Sequence, residues 1–456
     1  MAEKLLTARP VKRPDGADVR TDSETREKRK RLFYNIVFAV GWAACLPVGA
    51  FPQGMPLFAL LLIGCMTVSF FDDNFYLYTA LFMFMRYKVL FGDTPVYRLY
   101  SYLLVVKLVF DLKKIRLRTA YLPAVVVFAL HSVFALGRSA AGMRLGLNAL
   151  VDLLLIYLVL AVVPDKEVLF RRFLLAFLLG GVLSGVYGWT NADMTVNINI
   201  RGAGSETVSR NFGSLGDPNF AGLYYITCFY TALLLKSIPK WAKALFAALF
   251  FVLLLQTASL SALLTLALVG AVVIVLKYRV KALFILLGVV AAGGAALSVL
   301  LTVPQFREIP EISGLLIRIA EKLSYISMGR WDLLTTDRYA LWQAALKIFS
   351  QKSILGQLFG GSVITVMFID FSTVSMACHQ SIIQALLNFG VLGTACVYLP
   401  FLAVLGYRLL IHFTKKSGYA CEDLKIVQII FPFCFFVFGM SVDFFTDWAY
   451  LFFYFI

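Results

Sequence analysis

Apolar stretches of 17 or more residues recur from residue 32 almost to the end of the chain, and nothing else in the sequence restricts the fold so much. Each stretch, as a helix, covers the ~30 Å hydrocarbon core of a bilayer. Candidate spans lie at 32–49, 55–71, 74–91, 96–112, 119–137, 145–163, 169–189, 217–236, 241–257, 259–277, 281–303, 379–407 and 424–442. The run 448–456 is apolar but too short to cross alone. The pattern predicts an all-α, polytopic transmembrane helical bundle of 12 to 14 spans. A β-barrel would need alternating segments of ~10 residues instead.

Composition agrees, with 60% of residues apolar and 15% charged, against roughly 45–50% and 25% in soluble domains. A net charge of +16 could suggest nucleic acid, but ten basic residues lie in the first 31 and most others sit in short loops between apolar runs. That is the positive-inside distribution, so the implied partner is membrane lipid and not nucleic acid. With the N-terminus in the cytosol, 28 of the 42 Lys and Arg fall in inner segments and 14 in outer ones. Residues 1–31 read as a disordered basic cytosolic tail. Residues 32–456 read as one transmembrane domain, with extracytoplasmic loops at 190–216 and 304–378. The N-terminus lacks the pattern of a cleaved signal. The seven cysteines have no metal spacing, and only Cys378 falls in an outer loop.

Long ordered loops are usually functional. In the second loop, Ile312, Leu315, Leu316, Ile319, Leu323 and Ile326 make one helical stripe, opposite Glu311, Arg318, Glu321 and Lys322. This predicts an amphipathic helix, either lying on the bilayer surface or covering a lipid-accessible cavity. A second helix is expected from Arg338 to Phe349, ending near a turn at Ser353–Gly356.

Three side chains of the outer segments suit chemistry on an anionic substrate: Arg210, Arg338 and His379. Guanidinium forks bind phosphate oxygens in pairs and keep their protons. Imidazole titrates near neutrality and can take a proton from a hydroxyl. Each also has an ordinary reading: an arginine as a snorkelling anchor, a histidine as a helix-end cap. Asp217 and Pro218 read as the N-cap and first residue of a helix. The Gly390–Gly393 segment reads as small-residue helix packing. His131 reads as structural, and Asp72-Asp73 falls on the inner side, away from the large loops. Arg86, Lys88 and Arg98 read as interfacial residues flanking an outer loop.

At these residues the chain resembles the O-antigen ligase and O-antigen polymerase superfamily of membrane glycosyltransferases. Arg210, Gly213, Pro218, Asn219 and Ala221 resemble its Arg-x-x-Gly…Pro-Asn block. Arg338, Trp342, Leu355 and Gly356 resemble its Arg-x-x-x-Trp…Leu-Gly block, and His379, Ile383, Gly390 and Gly393 its His-x-x-x-Leu…Gly-x-x-Gly block. The chain departs from the family at Thr257-Ala258-Ser259-Leu260, where many relatives carry Thr-x-Ser-Arg, and at Gln380, often Asn or Ser. The resemblance implies a GT-C-like fold in a bacterial inner membrane and a metal-independent inverting transferase without a cofactor. Its donor would be an undecaprenyl-diphosphate-linked glycan, and its acceptor a glycan or lipid-linked hydroxyl. By the same resemblance Arg210 and Arg338 would bind the diphosphate and His379 would position or deprotonate the acceptor. Arg201, Asn219, Trp342 and Gln380 would contact substrate, with Arg201 an alternative to Arg210 as the clamp. Polymerase and ligase share these motifs. The rival from another class is a transporter or flippase of lipid-linked oligosaccharides, which would need paired halves or broken helices.

Overall fold

The computed structural model describes residues 55–71, 96–110, 122–136, 140–162, 166–191, 195–199, 207–330, 338–361, 366–369, 372–375, 378–414 and 422–440, with Phe82, Phe84 and part of 25–44. Most of residues 1–31, and Arg201, Asp72-Asp73, Arg86, Lys88 and 448–456, lie outside these residues.

The chain divides into two compact units, Met1–Phe75 and Tyr76–Ile456. The first contains helix α1, Met55–Phe71, and within this unit the Cys65 thiol faces the Phe38 carbonyl at 3.8 Å.

The second unit is mostly helical: α2 (Val96–Phe110), α3 (Leu122–Leu136), α4 (Ala140–Val162), α5 (Lys166–Thr190), α6 (Pro218–Leu234), α7 (Lys240–Gln256), α8 (Leu260–Tyr278), α9 (Ala282–Thr302), α10 (Pro310–Ser327), α11 (Arg338–Ser350), α12 (Ile354–Phe359), α13 (Ser381–Thr414) and α14 (Glu422–Gly439). Two antiparallel hairpins interrupt them: β1 (Thr195–Asn199) with β2 (Thr207–Asn211), and β3 (Val366–Ile369) with β4 (Ser372–Ser375). Among the described residues, Phe170–Thr190, Leu260–Thr302 and Ser381–Thr414 are long and apolar enough to cross a membrane. The second of these contains a 3-10 turn at Arg279–Lys281, where Arg279 has φ 49°, so it folds as α8 and α9.

The core that carries the site is built on α5. Phe177 sits 4.8 Å from Phe84, 5.6 Å from Tyr224 and 6.1 Å from Phe431 between ring centroids, all four buried. Gly181 and Gly185 let α6 and α7 approach. A Cβ on Gly181 would stand 2.6 Å from the Cys228 sulfur, and one on Gly185 2.5 Å from Leu253. These four-spaced glycines are the small-residue packing expected where lipid supplies no hydrophobic drive between helices.

Two expectations are revised. The helix expected from Arg338 to Phe349 forms as α11, but the segment Ser353–Gly356, expected as a turn, opens α12 instead, with the Ser353 hydroxyl accepting from the Gly356 N–H at 3.3 Å. Gly390 does more than pack: with φ 68° and ψ −172° it breaks α13 in two. A Cβ there would stand 2.3 Å from the Leu358 carbonyl oxygen, so the end of α12 sits against bare backbone. Two of the carbonyls just before the break find donors from outside the helix. Lys352 Nζ donates to Leu387 O at 2.6 Å, and Gly361 N–H to Asn388 O at 3.0 Å. His131, read as structural, bonds through Nδ1 to the Phe359 carbonyl at the end of α12.

Candidate functional site: an arginine cluster facing a histidine

Arg210 lies in β2, opposite Val196 of β1. The chain then runs through Asn211-Phe212-Gly213-Ser214 against α5. Gly213 has φ 56°, and a Cβ would meet Ser184 Oγ and Tyr225 Oη, each at 2.5 Å, so only glycine passes here. Ser214 N–H donates to Ser184 Oγ at 3.1 Å, and Ser214 Oγ donates to the Phe84 carbonyl at 2.6 Å. Asp217 caps α6, accepting from the N–H groups of Asn219 (2.7 Å) and Phe220 (3.1 Å), with Pro218 next, as the sequence predicts.

The turn between α7 and α8 receives the Arg210 side chain. Nε donates to the Thr257 carbonyl at 2.8 Å, and Nη2 donates to Asn219 Oδ1 at 3.0 Å. Ser259 Oγ donates to the same oxygen at 3.0 Å. Asn219 therefore holds the Arg210 guanidinium in place with the carbonyl end of its amide. Ala258, between these anchors, has φ 44°, a conformation costly for a residue with a Cβ and held here by contacts on both sides.

His379 and Arg338 come from the other end of the chain. His379 lies two residues before the start of α13 at Ser381. It has φ 53°, another left-handed non-glycine residue. Its neighbours are pinned: Trp342 Nε1 donates to the Cys378 carbonyl at 3.0 Å, and the Cys378 N–H donates to Gln384 Oε1 at 2.9 Å. Gln380 caps α13, its Oε1 accepting from the Ile383 N–H at 2.6 Å, while its Nε2 meets the Met440 sulfur at 3.5 Å. Trp342 and Gln380, expected at the substrate, thus have their polar groups engaged in shaping the histidine loop. Trp342 also packs with Ile383 on the apolar cluster of Leu341, Ala345, Cys378 and Leu387. Arg338 opens α11, one turn ahead of Trp342.

These side chains form one electrostatic cluster. Arg210 feels Arg318, Arg338 and Asp217; Arg338 feels Arg318 and Asp217; His379 feels Arg338 and Asp217. Burial lowers the Arg210 pKa to about 10, with repulsion from Arg318 and Arg338 adding to it and Asp217 opposing. Burial likewise lowers Arg338, reinforced by Arg318. It lowers His379 below its ordinary value, reinforced by Arg338, which favours the neutral imidazole, the form able to accept a proton. Neither Arg338 nor His379 makes a hydrogen bond or ion pair among the described residues.

Arg318 was not among the expected site residues. It sits in α10 on the side read as polar, and its Nη1 donates to the Ala258 carbonyl, beside the Arg210 anchor. The amphipathic helix itself forms as expected, but its stripe splits: Leu315 and Leu316 are buried, whereas Leu323 and Ile326 are exposed. Among the described residues no group of three or more His, Cys, Asp and Glu could hold a metal ion. No family model matches this chain, and no curated protein matches it.

Proposed function

We propose that this protein is a membrane glycosyltransferase of the O-antigen ligase and polymerase type, with a GT-C-like bundle of 12 to 14 spans and its N-terminus in the cytosol. It transfers a glycan from an undecaprenyl-diphosphate carrier to a sugar hydroxyl, at the outer face of a bacterial inner membrane. One observation carries the reading: partly buried guanidinium groups gather near an imidazole whose neutral form burial and Arg338 favour, with Arg338 and His379 unpartnered among the described residues. Uncompensated cations away from bulk water are costly, and an anionic ligand offsets that cost.

In this reaction the acceptor oxygen attacks the anomeric carbon from the side opposite the carrier. The bond from that carbon to the diphosphate oxygen breaks, and its electron pair leaves with the carrier. His379 takes the acceptor proton as the new bond forms. Arg210 and Arg338 hold the diphosphate and balance the charge that builds on it. Attack from the opposite face inverts the anomeric centre.

A flippase of lipid-linked oligosaccharides is the second reading, and the break of α13 at Gly390 favours it, since discontinuous helices often line transport sites. Against it, Lys352 and Gly361 already satisfy the carbonyls freed at 387 and 388, so these are not available to a cargo.

The deciding experiment is transfer from a purified lipid-linked donor in proteoliposomes. Arg210→Ala, Arg338→Ala and His379→Ala should each abolish product while the protein still inserts and folds, and EDTA should leave the wild type active. Normal product in all three variants removes the assignment. Donor crossing the bilayer without any new glycosidic bond supports the flippase.

A further inference from the structure

We propose that Arg318 is a third anion-binding guanidinium of this site, completing with Arg210 and Arg338 a cradle for a diphosphate; the inference rests on the reading of the site just given. Arg318 reaches across 60 residues of sequence to the Ala258 carbonyl, adjacent to the Thr257 carbonyl that anchors Arg210. The two guanidinium groups therefore hang from consecutive peptide units of one turn. Its charge is felt by both Arg210 and Arg338.

A purely structural anchor would be expected to bring its own counter-charge. Arg318 forms no ion pair among the described residues. Among the described residues the carboxylate acting on it is Glu321, one turn further along α10, which accepts a hydrogen bond from Tyr325 Oη at 2.9 Å. Arg210 and Arg338 both feel Arg318, and the carboxylate acting on those two among the described residues is Asp217, whose Oδ1 is committed to capping α6. Holding like charges together at a partly dry site is costly, and an anion between them offsets that cost. A diphosphate offers more charge and more oxygens than a monophosphate, and three forks can divide those oxygens among them. Arg318 also lies on α10, whose apolar end is exposed at Leu323 and Ile326. The same helix thus joins the diphosphate cradle to a surface suited to a lipid tail.

The test is binding of inorganic pyrophosphate to the full chain in phosphatidylcholine nanodiscs, by calorimetry and by the shift in melting temperature. Arg318→Gln should weaken pyrophosphate binding about 10- to 100-fold, the loss of charge-assisted hydrogen bonds. Arg318→Lys, which keeps the charge but loses the fork, should fall between it and the wild type. Glu321→Gln removes the opposing carboxylate and should tighten binding several-fold, a change that a mere helix anchor at 318 would not produce. If the wild type binds and Arg318→Gln binds equally well, the third guanidinium is excluded while the two-arginine site survives. If Arg318→Gln does not fold, an unchanged affinity in Glu321→Gln excludes it instead. A wild type that ignores pyrophosphate brings down the diphosphate reading of the whole site.

Discussion

The two sides of the site are held in opposite ways. On the Arg210 side the functional group itself is tied down, with Nε on Thr257 and Nη2 on Asn219, which Ser259 also holds. On the His379 side the side chains of His379 and Arg338 have no hydrogen bond among the described residues and the backbone is tied down, by Trp342 and Gln384 at Cys378 and by the Gln380 cap. A clamp benefits from a fixed guanidinium, because orientation set in advance is not lost on binding. A base must meet a proton whose position changes during reaction, so its free ring on a rigid loop suits that task. On the function proposed above, the difference gives one cluster a preorganised binding arm and a reactive arm.

If that division is right, the largest effect belongs to the reactive arm. His379→Ala should lower kcat by about 10²- to 10⁴-fold, the usual contribution of a positioned base, with little change in donor KM. An equal loss expressed wholly in KM would reverse the roles of the two arms. Next comes the tether of the clamp. Asn219→Ala leaves Arg210 charged but less well oriented, and should raise donor KM about 10-fold, the worth of ~1.4 kcal/mol. Trp342→Phe removes only the bond to the Cys378 carbonyl and should lower kcat a few-fold without raising donor KM. A KM effect there would mean that the indole touches substrate.

The smallest effect is one of pH. Because His379 titrates below 6.5, kcat/KM should be level above that pH and fall only beneath it. A bound diphosphate favours the imidazolium, so the acid limb of kcat should lie at higher pH than that of kcat/KM. The same lowered pKa makes the folded state favour the neutral ring. Its contribution to stability is present above 6.5 and is lost as pH falls toward the lowered value. Coincident limbs would mean that donor and imidazole do not meet.

The parts of this site that are legible in sequence are those fixed within a few residues. Asp217 and Pro218 announce their helix because a cap is a contact over two or three positions. The helices α7, α8 and α9 follow from apolar runs, since transfer into a low-dielectric medium is decided residue by residue. Arg338 at the start of α11 and Trp342 one turn on are also local, as is the pairing of a histidine with the start of α13.

What the tertiary structure alone decided is which distant carbonyl each arginine meets. The turn at Thr257–Ser259 carries no arginine of its own. Its two carbonyls are filled by Arg210 from a hairpin before α6 and by Arg318 from a helix 60 residues later. Read alone, Arg318 is one charge on the polar side of an amphipathic helix. The break at Gly390 is equally invisible locally, for it exists to admit the backbone end of α12. Hydropathy and capping are short-range free energies and are written in order along the chain. The meeting of side chains far apart in sequence depends on packing between helices, which no single stretch of residues encodes.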